Sequence, residues 1–326
     1  MKSMQISIQR KTTTAVPLVI LALGCFGFLP RTQAVVPAPD GGYPGGNTAE
    51  GQNALFSLTT GGYNTANGWN SLHTLSSGSF NTGIGAATLL NNTADQNTAT
   101  GAGALLSNST GGLNTGNGAF ALFNNTDGGA NTATGVNALS NNTRGYQNTA
   151  TGYAALASNT TGDDNTANGV DALASNTIGG LNTAVGFFAL SFNTTGSSNT
   201  AVGYQALLGS TTGSENTAVG DDALASHNGN GNTALGVFAG AGLSTGDNNI
   251  DIGYNVFGVA GESNTIRIGN ADITDTYISG ISGTTVASGA AVLVDSSGPL
   301  GHADFFKALQ GRDQANEYDQ RSNLLP

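Results

Sequence analysis

The chain has 326 residues, a formal net charge of −11 and only nine basic side chains. So acidic a balance argues against nucleic acid and anionic membranes as partners, because both repel a negatively charged surface. The single cysteine, Cys25, excludes a disulfide framework within the chain.

Residues 1–34 have the composition of a secretory signal peptide. Lys2, Arg10 and Lys11 precede an apolar run, and small residues up to Ala34 offer a cleavage site. We therefore expect a protein that is secreted by a bacterium or displayed on its surface. An uncleaved N-terminal anchor and a lipoprotein modified at Cys25 remain as alternatives. Cleavage after Ala34 removes four basic residues and no acidic one, which leaves a net charge of −15.

A flexible leader rich in proline and glycine, residues 35–46, is followed by an internal repeat over residues 47–269. The unit is Asn-Thr-Ala-x-Gly-x-x-Ala-Leu-x-x-Asn-Thr-Thr-Gly-x-x, spaced by 17 residues with two spacings of 16, and its places are numbered from the opening asparagine. The glycines of every unit exclude helical repeats. The repeat therefore predicts an all-β protein, a parallel β-roll or β-solenoid of about 13 coils with two short strands per coil.

Three columns of identical residues are expected to form the framework of the stack. Asparagine at place 1 predicts a ladder of side-chain amides, leucine at place 9 predicts the interior, and glycine at place 5 predicts corners with positive φ. The interior is thin, so we expect several chains to pack side by side. The central framework residues are Asn131, Asn148, Asn165, Asn182, Asn199, Leu139, Leu156, Leu173, Leu190, Leu207, Gly135, Gly152, Gly169, Gly186 and Gly203.

The Asn-Thr-Ala-Val-Gly of residues 199–203 and its copies resemble the head repeats of YadA-like trimeric autotransporter adhesins, which carry an Asn-Ser-x-Ala-Ile-Gly core in a shorter unit. The resemblance implies a left-handed β-roll, a homotrimer and attachment to a host or another surface. Place 4 agrees with trimerisation, because it changes from mostly polar in the early units to apolar in the late ones. The late residues are Val185, Val202, Val219, Leu235, Ile252 and Ile268.

The C-terminal residues contain two further segments. Residues 270–301 predict short β-strands with glycine turns, and they resemble the connector that precedes a self-cleaving intramolecular chaperone domain of the tail-spike type in fibre proteins. Residues 302–326 form an irregular tail. Plausible codons for that tail, moved by one base, encode a sequence resembling the start of the chaperone domain. We therefore hypothesise a frameshift near Gly301 that leaves a truncated product.

The sequence contains no motif that indicates catalysis, a cofactor or a metal. The three histidines lack cysteine or acidic partners at ligand spacing and are interpreted as surface residues. The acidic pairs are interpreted as solvated turns rather than calcium sites, because the Gly-Gly-x-Gly-x-Asp repeat is missing. These residues are His73, His227, His302, Asp163, Asp164, Asp221, Asp222, Asp247 and Asp251.

We predict a non-catalytic surface fibre or adhesin head that binds itself and a surface ligand, without a nucleic-acid partner or membrane insertion. The alternative is a fibre shaft without its own receptor. Less favoured are a polysaccharide-degrading solenoid, N-glycosylation, and ice binding, since the threonine columns are single. Places 6, 7, 10, 11, 16 and 17 are the expected contact positions, with the aromatic residues Tyr63, Trp69, Phe123, Tyr146, Tyr153, Phe187, Phe192 and Tyr204.

Overall fold

A computed structural model describes residues 43–273, which form a β-solenoid. Fourteen strands of three residues pair in chain order into one parallel sheet. The strands are β1 Thr48–Glu50, β2 Thr65–Asn67, β3 Thr82–Ile84, β4 Thr98–Thr100, β5 Thr115–Asn117, β6 Thr132–Thr134, β7 Thr149–Thr151, β8 Thr166–Asn168, β9 Thr183–Val185, β10 Thr200–Val202, β11 Thr217–Val219, β12 Thr233–Leu235, β13 Ile250–Ile252 and β14 Ile266–Ile268.

The predicted signal peptide, the tail and most of the leader and connector lie outside the described residues. Within residues 43–273, no helix is long and apolar enough to cross a membrane.

Each strand meets the same three places of the next turn. In the middle of the sheet, for example, Thr132 pairs with Thr149 and Ala133 with Ala150. The register also holds across both 16-residue spacings, where Thr82 pairs with Thr98. Parallel strands lie about 4.8 Å apart, so fourteen strands extend roughly 60 Å. The prediction of a β-solenoid with about 13 coils is confirmed.

The prediction of two strands per coil is wrong, because each described turn contains one. The remainder of a turn bends through residues with positive φ at places 5, 7, 9 and 17. Glycine has such an angle at place 5, as predicted, whereas the other three places mostly have residues with a side chain. Leu139 has a φ of 51° and Ala154 a φ of 52°. Such angles are costly for residues with a Cβ.

Hydrogen bonds between turns explain why these residues adopt that conformation. The backbone N–H of Leu139 donates to Ala155 O at 2.9 Å, and that of Ala154 donates to Val136 O at 3.0 Å. The left-handed residues therefore keep N–H groups directed along the axis, where the neighbouring turns supply acceptors. A buried N–H without an acceptor costs a comparable amount of free energy, so the strain is offset.

The interior consists of three columns of apolar side chains. Leucine at place 9 is buried, as predicted, and so are the alanines at places 3 and 8; Leu139, Ala133 and Ala138 have no exposed surface. A coil with a single short strand is narrow, so large side chains would not fit in all three columns. Alanine at two places lets the opposite walls approach closely around one leucine per turn.

A charged cluster replaces alanine at the C-terminal end of the place-3 column. Asp251 is 1% exposed and Arg267 follows it at the same place of the next turn. Arg267 Nη1 lies 3.7 Å from Asp251 Oδ1, and the same guanidinium donates to both carboxylate oxygens of Glu262. Burial raises the pKa of Asp251, against the opposing effect of Arg267. The apolar interior therefore ends in an ion pair.

The glycine column at place 5 is required by the spacing between turns. A Cβ on Gly169 would lie 2.3 Å from the carbonyl oxygen of Gly186, and Gly169 has a φ of 146°. Backbone atoms cannot move away from a Cβ without breaking the sheet.

We predict that Gly169→Ala lowers the free energy of unfolding by about 3 kcal/mol, through backbone overlap and an unfavourable φ. Gly112→Ala is the matched control, because its Cβ would lie 3.3 Å from a single atom, Asp95 O. Urea unfolding followed by circular dichroism measures both. Equal midpoints for the two variants would contradict the proposed backbone approach.

Candidate functional site

The asparagines at place 1 form a continuous hydrogen-bonded ladder inside the solenoid. Both the backbone N–H and the Nδ2 of Asn148 donate to Asn131 Oδ1, at 3.0 and 3.1 Å. Asn148 Nδ2 also donates to Gly162 O at 2.9 Å. The same three contacts recur at Asn165, Asn182 and Asn199, and all these side chains are fully buried.

A second amide ladder, which sequence reasoning missed, lies at place 12. Asn142 Nδ2 donates to Asn125 Oδ1 at 2.7 Å and to Gly145 O at 3.0 Å. The sequence signal for this ladder is the recurrence of asparagine at place 12, within the Asn-Thr-Thr-Gly segment that is typical of a turn. The ladder consists of Asn92, Asn108, Asn125, Asn142, Asn159, Asn176 and Asn193.

The two ladders meet at the glycine of place 15. The carbonyl oxygen of Gly162 accepts Nδ2 of Asn148 and Nδ2 of Asn159, both at 2.9 Å. Each turn that has asparagine at both places is therefore closed by two of its own amides, which share one carbonyl. The amide oxygens and the remaining amide hydrogens then connect that turn to its neighbours.

The prediction that His227 is a surface residue is wrong. His227 occupies place 12 of its turn and has no exposed surface. Burial lowers its pKa, and this effect outweighs the nearby charge of Asp247. His73 Nδ1 lies 3.3 Å from Asn53 O, and its ring stacks on Phe56. His302 lies outside the described residues.

Several acidic side chains accept hydrogen bonds from turns. Asp163 Oδ1 accepts the backbone N–H of Tyr146 at 2.7 Å, and Asp247 Oδ1 accepts that of Asn230 at 2.7 Å. Burial and the neighbouring charge of Asp221 raise the pKa of Asp222. Among residues 43–273, no group of three or more His, Cys, Asp or Glu side chains is arranged to hold a metal ion.

Places 2 and 4 of every turn form the outward side of the sheet, which we name the strand face. Its residue types repeat along the axis, and it lacks charged residues from β2 onwards. From β2 to β14 no acidic or basic residue occupies either place. Place 2 is threonine in β1 to β12, and place 4 is asparagine or threonine in β4 to β8 and apolar in β9 to β14. The buried place 3 separates the two columns.

The aromatic side chains predicted to mediate contacts are mostly exposed, but several stack on one another along the axis. The rings of Phe187 and Tyr204 lie 5.7 Å apart and 3° from parallel, and those of Tyr63 and Phe80 lie 5.2 Å apart. Phe123 meets Phe120 edge to face. Stacking covers a face of each ring, which does not favour an open platform for a sugar ring. The others, Trp69, Tyr146, Tyr153 and Phe192, are each about half exposed.

An open pocket of about 420 Å³ lies at the C-terminal end of the solenoid. Its lining includes Asn255, Phe257, Arg267 and Asp272. Because Arg267 is already paired with Glu262 and Asp251, its charge is largely neutralised within the protein. The pocket therefore offers no free cation to an acidic ligand.

Sequence comparisons with known proteins complement this geometry. No protein-family model matches the chain, and no curated protein matches it. The resemblance to adhesin-head repeats therefore depends on the repeat residues themselves.

We predict that Asn165→Ala lowers the free energy of unfolding by about 3 kcal/mol, because it removes the amide oxygen that accepts both the backbone N–H and the Nδ2 of Asn182 in a buried place. Asn168→Ala, in the same turn but with an exposed side chain, is the control and should change stability by less than about 0.5 kcal/mol. Urea unfolding compares them. An effect of the same size at both positions would show that the ladder adds nothing to stability.

Proposed function

We propose that this chain is an exported, non-catalytic surface fibre or adhesin head that works as a homotrimer. The observation that carries the proposal is the uncharged strand face on a strongly acidic protein. The signal-like N-terminus and the resemblance of the repeat to trimeric adhesin heads add support from the sequence. The charge distribution and the apolar surface of that face both support a contact between copies.

The distribution of charge favours the strand face as the contact between copies. Acidic residues lie in the turns, for example Asp127, Asp163 and Asp221, and none lies on the strand face from β2 to β14. Charged residues are depleted from the centres of protein interfaces, because burying them without partners is costly. Copies that meet through this face keep their acidic turns apart and in water.

The apolar surface of the strand face favours the same contact. Val185, Leu235 and Ile268, at place 4 of β9, β12 and β14, are 37%, 49% and 71% exposed, and Ile266 at place 2 of β14 is 66% exposed. A long apolar strip in water is unfavourable and marks an interaction site. The aromatic column at place 6, with Phe187 and Tyr204, lies two residues further along the chain and widens the strip.

A second copy is the partner that this strip fits best. An identical chain presents the same column spacing of about 4.8 Å over the same length, so apolar residues can meet in every turn. Closed rotational symmetry then limits the assembly to a small number of copies. Three copies match the trimer that the resemblance implies.

The alternative function is a passive shaft that holds another domain or subunit away from the cell. It is favoured by the continuity of the sheet, since fourteen strands pair in one register without an inserted loop domain. Such a stack resists bending because each turn is joined to the next by backbone bonds and by at least one amide ladder. Attachment assays distinguish this function from that of an adhesin.

We predict that the full chain sediments as a trimer. Val202→Asp combined with Val219→Asp should shift it to monomer, because charge is then buried in the contact. Ile178→Asp is the matched control, since Ile178 is 57% exposed but lies at place 14, away from the strand face. Sedimentation equilibrium measures the masses. A monomeric wild-type chain, or an unchanged mass for the double variant, contradicts the trimer through this face.

We predict that beads coated with the full chain attach to protein- or polysaccharide-coated surfaces. Tyr63→Ser combined with Tyr146→Ser should weaken attachment about tenfold, because these exposed tyrosines, at places 17 and 16, lie outside the proposed contact between copies and supply large contact area at low entropic cost. Ile178→Ser serves as the control. Attachment that equals that of uncoated beads on every surface would reject the adhesin function and favour the shaft.

A further inference from the structure

The place-12 ladder is interrupted in three successive turns. Asn193 is its last asparagine, and Ser210 and His227 follow at the same place of the next two turns. All three side chains are buried, and one polar atom of each lacks a hydrogen-bond partner: Asn193 Oδ1, Ser210 Oγ and His227 Nδ1. Buried polar atoms without partners are rare and destabilising. The column is therefore incompletely hydrogen-bonded over these three turns, the last of which contains the histidine.

The hydrogen bonds of His227 determine its protonation state. Gly229 N–H donates to His227 Nε2 at 3.0 Å, and Asn232 Nδ2 lies 2.7 Å from the same atom. Because Asn232 Oδ1 already accepts two hydrogen bonds from Asn249, the amide presents its NH₂ group to the ring. Nε2 is therefore an acceptor, and the proton of the neutral ring is on Nδ1.

Asn92 shows which group His227 replaces. The turns that begin at Asn81 and Asn216 both have 16 residues, and Asn92 is at place 12 of the first. Asn92 Oδ1 accepts Asn97 Nδ2 at 3.2 Å, five residues further on, just as His227 Nε2 accepts Asn232 Nδ2. An amide oxygen does not take up a proton near neutral pH, whereas an imidazole does.

Protonation of Nε2 is incompatible with the native contacts. The added N–H would point at two donors, so both hydrogen bonds to Nε2 would be lost. The backbone carbonyl of Gly246 favours the charged ring, but burial outweighs this effect. Of the described charged groups, Asp247 in the following turn acts on the ring. Ser210 and Leu243, which occupy place 12 on either side, carry no charge. The carboxylate of Asp247 is engaged by Asn230, and its attraction is outweighed by the burial of the ring.

We propose that His227 is an acid-sensitive latch, whose protonation opens the turn of residues 216–231 from the turn that follows it. The opening would release residues 232–269, which include much of the apolar strand face. The latch is a property of one chain and does not depend on the trimer.

The direction of the pH effect follows from the lowered pKa of His227. When burial depresses the pKa of a histidine, the folded state keeps its full stability at pH values above the pKa of that histidine in the unfolded chain, about 6.5. That stability is lost as the pH falls below this value, until the folded pKa is reached. In this pH window, the histidine takes up one proton when the turn opens. The equilibrium constant for opening therefore rises about tenfold for each unit by which the pH falls.

Hydrogen–deuterium exchange of the full chain at pH 7.5 and 5.5, corrected for intrinsic exchange, tests the latch. In the wild type, protection of amides in residues 216–248 should fall by up to about tenfold at pH 5.5, while that of residues 131–182 stays constant. His227→Asn should abolish the change, because asparagine fits the same place in the turn of Asn92. His73→Asn is the control and should behave as the wild type. Equal pH responses of wild type and His227→Asn would overturn the proposal.

Two further variants keep the test decisive if His227→Asn does not fold. His227→Leu places at 227 the residue found in the same column at Leu75 and Leu243, and it should also lack the pH response. Ser210→Asn should extend the ladder and raise protection equally at both pH values, because it adds no titrating group. A pH response that persists in His227→Leu, or disappears in Ser210→Asn, contradicts a latch at His227.

Discussion

The structure depends on the requirement that every buried amide meets an identical amide one turn away. Asn131 and Asn148 illustrate it: an asparagine has both donors and an acceptor, so a column of asparagines can satisfy its own members without any other side chain. A shift of register by one residue would place the amide of place 1 against the threonine of place 2 or the variable residue of place 17, and leave it unpaired in a dry interior. The constant spacing of the repeat is the consequence of this requirement.

The same requirement explains why the coils are narrow. The amides at places 1 and 12 share the carbonyl of place 15, as at Gly162, and this pulls the turn into a small loop. Little room remains for apolar side chains, so one leucine and two alanines per turn fill it. The backbone then has to bend four times per turn, and residues such as Leu139 take left-handed angles in exchange for hydrogen bonds to neighbouring turns. Stability thus comes from repeated polar contacts along the axis as much as from apolar burial.

Because the interior is fixed by these columns, the surface is free to differ along the chain. Acidic side chains lie in the turns, where they accept backbone N–H groups, as Asp163 does. The strand face stays uncharged and becomes apolar towards β14. Place 12 changes from asparagine to serine and histidine over the last turns, so the interior is less uniform than the motif suggests. At place 12, a proton can act on a column of side chains that otherwise carries no charge.

The sequence by itself determined the class of fold, the period, the buried leucine column and the place-1 asparagines, since a strict repeat forces identical residues into identical surroundings. The tertiary structure alone decided three other features: the single strand per turn, the second ladder from Asn92 to Asn193, and the burial of His227. Asparagine beside threonine and glycine is typical of a surface turn, but asparagine also forms buried amide columns, so local pattern does not distinguish the two. Whether a polar residue at place 12 faces water or its own copy depends on how tightly the coil closes, which is set by contacts between turns and not by the residues within one.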